Sequence, residues 1–438
     1  MSHEIRGSLL RRHRDFRLLW CGETTGKFGT SVTAVAMPLI AVSTLHASTW
    51  EVGLLSASAW LPWLVIGLPV GAWVDRVRRR PVMLTAAAVS CLLFSVVPVA
   101  AWTGHLNVGL LVVIALLTGT AAVFFQTAYT AYLPSILAPE DQPEGNAKLH
   151  GSASAAQIAG LGSAGLIGQT VGVVNAMFAN AATFLLSLLC VASIRKREPR
   201  RDRTAVRSTA LLDEVGEGLR LVARDPWLRT LTLFGAASNL ALMGYQSIQV
   251  IFLVHTVGLA PGAVGGLIAA AGTGGIAGAS VARRVAGRIG TARATLLFEL
   301  GFAIFALLIP AASAGAGLLL FVMGGFCVSA GVVAGNVIKA NFQQRYCPPE
   351  LLGRLTASTA FLNYGTIPLG ALLGGWLGTV FDLRTAMWIT TAGVPLAALI
   401  LLFSPIGRSR DLPMVPRSRS APGQKHPRPS PSPQSPLA

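Results

Sequence analysis

The sequence predicts an all-α integral membrane protein: twelve transmembrane helices in two pseudo-symmetric halves of six. Three observations predict it. The apolar residues come in long blocks, the basic residues fall on one side of the resulting parse, and short motifs recur between the two halves of the chain.

The blocks come first. Of 438 residues, 53% are hydrophobic and 12% charged, with a mean hydropathy of +0.60. Soluble domains carry about 25% charged residues, so this chain cannot cover a water-facing surface of its size. A helix needs about 20 apolar residues to cross the hydrocarbon core. Blocks of that kind fall at 18–45, 52–74, 82–103, 107–131, 150–173, 175–194, 229–256, 263–283, 293–313, 316–340, 353–379 and 384–405. These divide the chain into a basic N-terminal segment (1–17), a first six-helix half (18–194), a polar linker (195–228), a second half (229–405) and a Pro-, Ser- and Arg-rich tail (406–438) whose composition predicts disorder. The first block is too long for the apolar core of a cleavable signal and is expected to stay as the first span.

The charges support that parse. With the N-terminus cytoplasmic, Arg11 to Arg17, Arg76 to Arg80, Arg195 to Arg203 and Arg283 to Arg293 all lie on the cytoplasmic side. The outer loops hold Arg384, and Lys27 stands inside the first span. One missed span would scatter the charges onto both sides. Both termini are therefore expected in the cytoplasm of a cell whose plasma membrane the chain crosses. The same placement turns the net charge of +17 into an orientation signal and argues against nucleic acid as a partner. In the linker, Leu211, Leu212, Val215, Leu219 and Val222 recur at helical spacing beside Glu214, Glu217, Arg220 and Arg224. This predicts an amphipathic helix, lying on the inner membrane face or solvated as a plain connector.

The repeat is short but doubled. Arg14-Asp15-Phe16-Arg17-Leu18 before the first span matches Arg224-Asp225-Pro226-Trp227-Leu228 before the seventh, and Pro139-Glu140-Asp141 matches Pro349-Glu350-Leu351; each pair is offset by 210 residues. Two such matches with six spans per half argue for parallel halves.

Between spans two and three runs Gly71-Ala72-Trp73-Val74-Asp75-Arg76-Val77-Arg78-Arg79-Arg80. Gly71 allows close helix approach. Asp75 among Arg76, Arg79 and Arg80 can accept charge-assisted bonds that latch helix ends together and release them; a bare orientation anchor explains the arginines but not Asp75. The stretch resembles the G-x-x-x-D-R-x-G-R-R/K signature of the major facilitator superfamily, with Trp73 and Arg78 departing from it. The second half carries a weakened copy, Val285-Ala286-Gly287-Arg288-Ile289-Gly290, in which Gly287 stands at the Asp75 position. Phe16-Arg17-Leu18-Leu19-Trp20, with Gly29 and Pro38, and the run Gly365 to Gly375, with Pro368 and Gly370, resemble the drug:proton antiporter branch that includes macrolide efflux pumps and the enterobactin exporter. The glycines of span five, Gly160 and Gly165 among them, resemble the antiporter motif, though Leu161 replaces its proline; close packing alone also accounts for them. The fourth span lacks the arginine common in other drug:proton antiporters.

The resemblance implies alternating access, with spans 1, 4, 7 and 10 around a central cavity. On those spans and span 11, Gln126, Tyr129, Asn239, Gln246, Gln249, Asn336, Asn363 and Tyr364 are candidate cavity-lining residues; each also suits an interhelical hydrogen bond. Glu23 and Lys27 lie one helical turn apart. They serve either proton coupling and substrate or a self-satisfied structural tie. Glu299, on an outer span near its end, reads as inert or snorkelling. The expected activity is proton-coupled export of an amphipathic small molecule such as a drug, antibiotic or siderophore, by a monomer in the lipid bilayer with no cofactor; import is the alternative.

Other classes fit poorly. Gly22-Glu23-Thr24-Thr25-Gly26-Lys27-Phe28 is one residue short of a P-loop and lies in a span. The seven histidines sit at termini, loops and span ends, which disfavours a membrane enzyme. No ring of charges suggests a channel. The five cysteines include no CxxC, so no metal site or disulfide framework is legible.

Overall fold

In the computed structural model, the structure describes residues 9–74, 76–196, 210–347 and 349–413. The described residues are almost wholly helical and form twelve rods. They are α1 (Arg14–Ser43), α2 (Thr49–Val65, resuming as Gly67–Val74), α3 (Arg79–Trp102), α4 (Val108–Ile136), α5 (Gln142–Val171) and α6 (Ala176–Ala192) in the first half. In the second half are α7 (Pro226–Ile251, widening into a π turn over Phe252–Thr256), α8 (Pro261–Gly272 and Gly274–Ile289), α9, α10 (Leu318–Tyr346), α11 (Pro349–Val380) and α12 (Leu383–Leu402). The rod α9 is irregular: Thr291–Leu296 is α-helical, Leu297–Gly301 is a π turn and Ala303–Leu308 winds tightly as 3₁₀. Eight of the rods are long and apolar enough to span by length and composition alone. Of the rest, α2 is broken at Ile66 and α6 has 17 residues.

Local chemistry sets several starts. Ser48 and Glu51 cap α2 reciprocally as a capping box. Asn107 accepts from Leu110 N at 2.9 Å at the start of α4, and Asp225 accepts from Trp227 N and Leu228 N at the start of α7.

The halves meet through α2 against α11 and α5 against α8. Their glycines let backbones touch. A Cβ on Gly53 would lie 2.7 Å from Gly375 Cα, and one on Gly165 would run into the Gly262 carbonyl. These contacts lie at the end of the bundle away from the arginine-bearing loops, the far end. There one apolar cluster runs through both halves, from Val32, Leu39 and Ile40 of α1 to Tyr245, Ile248 and Phe252 of α7 and its π turn. At the arginine-rich end the core divides. Phe16, Met83, Tyr129 and Tyr132 belong to a cluster of the first half, and Trp227, Phe234, Phe298 and Tyr346 to a separate one in the second. The core is shared between the halves at the far end and divided between them at the arginine-rich end.

Two expectations change. The linker helix (Ala210–Arg224) packs against α11 and α7, with Val222 buried, so neighbouring helices cover part of its apolar face. Disorder from residue 406 does not hold up to Pro413. Ile406 and Leu412 are buried, Asp411 Oδ1 accepts from Thr291 N at 2.8 Å, and the Arg410 carbonyl accepts from Ala292 N and Arg293 N. The segment thus caps the start of α9. Gly290 turns the chain there at φ +97°, a conformation open to glycine, and a side chain would strike the Arg410 backbone. The remainder of the tail lies outside the described residues.

Candidate functional site

The candidate residues fall into three groups.

The first group is on α1 and α4. Glu23 is 6% exposed, and its Oε1 lies 3.6 Å from Lys27 Nζ. The i, i+4 spacing that the sequence shows places them on one face. Lys27, partly exposed, also donates to Gln126 Oε1 at 2.9 Å, so three residues from two helices make one polar chain. Tyr129 is buried, stacks on Phe125 and lies within electrostatic reach of Glu23.

The second group is on α7 and α11. Asn239 Nδ2 donates to the Asn363 carbonyl at 3.0 Å. The Asn363 side chain sits against Gly235, where a Cβ would come within 2.8 Å of its amide oxygen. That oxygen is buried without a hydrogen-bond partner among the described residues. Tyr364 is 41% exposed and meets Trp60 and Trp63 of α2 at ring-centroid distances of 6.3 and 5.6 Å. This aromatic cluster crosses between the halves; the two tryptophans escaped the sequence reading, which sought polar groups. Gln246 is exposed, Gln249 half-buried and Asn336 exposed on α10.

The third group is the charged loop after α2. Asp75 lies outside the described residues. Among the described residues, nothing lies within 4 Å of a Cβ added at Gly71, so none of them makes a close helix contact at that glycine. Arg76 is exposed in the turn. Arg79 opens α3. Arg80 donates to the carbonyls of Val191 at 3.3 Å and Ala192 at 2.5 Å, tying α3 to the end of α6. These two bonds lie within the first half.

The glycines of span five divide by role. Gly160 packs against the Phe28 carbonyl and Ser31 of α1 inside the first half, whereas Gly165 lies on α8 across the halves. Gly370 packs on the Leu240 carbonyl of α7, and Pro368 lies within α11.

Glu299 does not snorkel, one of the two roles expected for it; the other is an inert one. It is 4% exposed and sits 2.8 Å from Lys339 Nζ of α10, whose ammonium also lies 4.9 Å from the Phe234 ring centre. Lys339 carries no sequence signal that ties it to Glu299. A partner 40 residues away leaves no local spacing to read.

This is the architecture of a two-half membrane transporter, and comparison with known proteins agrees. Residues 19–367 match the model of the Major Facilitator Superfamily. The chain belongs to that superfamily. It is 29% identical over 429 residues to "Multidrug efflux pump Tap" of Mycolicibacterium fortuitum, covering 95% of this chain and 100% of the relative. A protein of the same name from Mycobacterium bovis is 27% identical over 397 residues, covering 88% and 92%. Among solved structures, the nucleoside transporter NupG superposes with a TM-score of 0.71 at 11% identity, over 89% of this chain and 98% of that one. A bacterial homologue of the iron transporter ferroportin, solved in its inward-facing state, gives 0.69 at 15% identity, over 90% and 98%. The protein is a multi-pass secondary transporter and not an enzyme.

Proposed function

We propose that this transporter exports amphipathic small molecules from the cytoplasm in exchange for protons, with the arginine-rich end and both termini on the cytoplasmic side of the plasma membrane. The positive-inside rule supports that orientation, and the divided core at the arginine-rich end favours an inward-facing state. The observation that carries the reading is Glu23, a buried carboxylate on a central helix within reach of Lys27, which in turn bonds Gln126. A carboxylate at that depth is costly to keep without a use. The relatives named as multidrug efflux pumps favour export, and the Trp60, Trp63 and Tyr364 cluster offers flat apolar surface to a bulky substrate.

In the cycle proposed, the exchanged water around Glu23 changes as the halves rock, and its affinity for a proton changes with it. Lys27 and Gln126 hold the carboxylate in place between steps. Gly71, Asp75, Arg76, Arg79 and Arg80 act as the latch that gathers helix ends when the cytoplasmic side shuts. Asp75→Asn is expected to reduce transport in a protein that still inserts.

The test uses the full chain in proteoliposomes with ethidium as probe. Wild type should move ethidium against its gradient when a pH gradient is imposed, in the direction of export. Glu23→Gln should lower that transport at least tenfold and leave exchange without a gradient intact. Uptake into right-side-out vesicles would identify an importer. A poorly folded Glu23→Gln whose stability and full gradient-driven export return in Glu23→Gln with Lys27→Gln would reduce the pair to a structural tie.

A further inference from the structure

The second half contains a charged pair that the proposed cycle does not use. Glu299 lies in the middle of α9, in the π turn Leu297–Gly301. Such turns are rare inside helices and frequent at functional sites. Here the turn directs the carboxylate at α10. The carboxylate seats against Gly335, where any Cβ would overlap it, so the α10 backbone is bare at the one place the acid needs room. Lys339 of α10, one turn further on, closes the pair at 2.8 Å.

Among the described residues, Lys339 is the charged group that faces Glu299. The other neighbours are neutral: Ser238 of α7, Phe298 and Ala303 of α9, Val328 and Val332 of α10 and Val394 of α12 surround a void of about 10 Å³ beside the acid. That is roughly the space of one water molecule, and Ser238 gives it a polar wall. Lys339 is less deeply enclosed than its partner, and Ala340 and Asn336 beside it on α10 are exposed. The lysine is therefore the more accessible member of the pair.

The two halves match in this. In the first, Lys27 of α1 contacts its carboxylate and reaches Gln126 of α4. In the second, Lys339 of α10 contacts its carboxylate and reaches the Phe234 ring of α7. Each lysine bridges the first and fourth helices of its half. Replacing a buried ion pair with apolar residues is often neutral or stabilising, so stability alone is a weak reason to keep either pair.

We propose that Glu299 and Lys339 form a second proton-exchange site, so that transport is coupled at one carboxylate–lysine pair in each half. The coupling part rests on the proton-driven reading above. A proton from water adds to the Glu299 carboxylate and gives the neutral acid. The Lys339 ammonium keeps its three protons and loses its counter-charge, and the Phe234 ring face holds it in place. Return of the proton to water restores the pair. No other bond changes.

Two measurements on the full chain in lipid vesicles test this. Infrared difference spectra between pH 5 and pH 9 read protonation without any substrate. Wild type should show a carboxylic acid band that is missing in Glu299→Gln and retained in Glu23→Gln. A Glu299→Gln spectrum identical to wild type overturns the proposal, whatever wild-type transport turns out to be. In ethidium transport, Glu299→Gln should keep gradient-free exchange within about twofold, lose at least tenfold of pH-driven transport and lose its pH dependence, with Glu299→Asp partly restoring both. If Glu299→Gln instead misfolds, and Glu299→Gln with Lys339→Gln recovers wild-type pH-driven transport, the pair is a structural tie. Should wild type fail to move ethidium under any pH gradient, the export reading fails, and the infrared result alone decides this one.

Discussion

The two ends of the bundle are built on different principles. At the far end, one apolar cluster passes through both halves, and glycines bring backbone against backbone, Gly53 on Gly375 and Gly165 on Gly262. At the arginine-rich end each half closes over its own cluster and is tied internally by charged groups: Arg80 to the Val191 and Ala192 carbonyls, Arg12 to Asp141 at 3.1 Å, and the Tyr346 hydroxyl to Asp225. The difference teaches which terms govern each gate. Shape governs the far end, where a methyl group in the wrong place is prohibitive. Charge and hydrogen bonding govern the other, where partners can be exchanged for water at modest cost.

The largest expected effect follows from shape. Gly165→Leu should keep the far end from shutting and lower transport by more than tenfold. An impermeant thiol reagent should then label a cysteine at Leu377, buried in the shared cluster, faster than in an otherwise cysteine-free parent. Equal labelling and normal transport would remove glycine packing as the far-end seal. Next is Arg80→Gln, which deletes two carbonyl contacts between α3 and α6 and should cost about 2 kcal/mol. Thermal unfolding in detergent measures it, and no loss would make Arg80 a simple orientation charge.

Smaller is Asp411→Ala. Loss of this cap on α9 should cost about 1 kcal/mol, read in the same unfolding assay, with residues up to Pro413 becoming sensitive to protease. The smallest effect is at the far end. Hydrogen bonds from Ser48 hold the Glu51 carboxyl below its ordinary value of 4.5. Its contribution is complete above that value and fades as pH falls through the lower folded value. Unfolding profiles of wild type and Glu51→Gln should therefore be fully separated above about pH 4.5, by a few tenths of a kcal/mol at most, and converge only as pH falls through the lower folded value.

Much of this was legible in the sequence, for identifiable reasons. Hydrophobic block length follows from membrane thickness, so the twelve rods could be found from composition. Glu23 and Lys27 were readable as a pair because helical geometry fixes an i, i+4 contact in advance. Glu299 and Lys339 were not, because their contact depends on how α9 packs on α10 and on a π turn that no residue pattern announces. The same limit hid the break at Ile66 in α2 and the joint at Thr273 in α8. Asn239 and Asn363 were each named as cavity groups, but only the packing of α7 on α11 makes one the partner of the other's backbone. The docked segment at Arg410 to Leu412 was hidden by its polar, proline-rich surroundings, since two buried aliphatic residues are too few to register as a block.

That docked segment has a consequence for the order in which the molecule is completed. The second half lacks an acidic residue at Gly287, where the first half has Asp75, and Asp411, roughly 120 positions downstream, supplies a carboxylate to the same hairpin. The turn between α8 and α9 leaves the ribosome well before its cap is synthesised. During that interval it is an open helix start beside Arg283, Arg288 and Arg293, and it is finished only after α12 has been threaded. A truncation before Asp411 would leave the hairpin as it stands in a nascent chain, while a fusion placed after Pro413 would leave the closure intact.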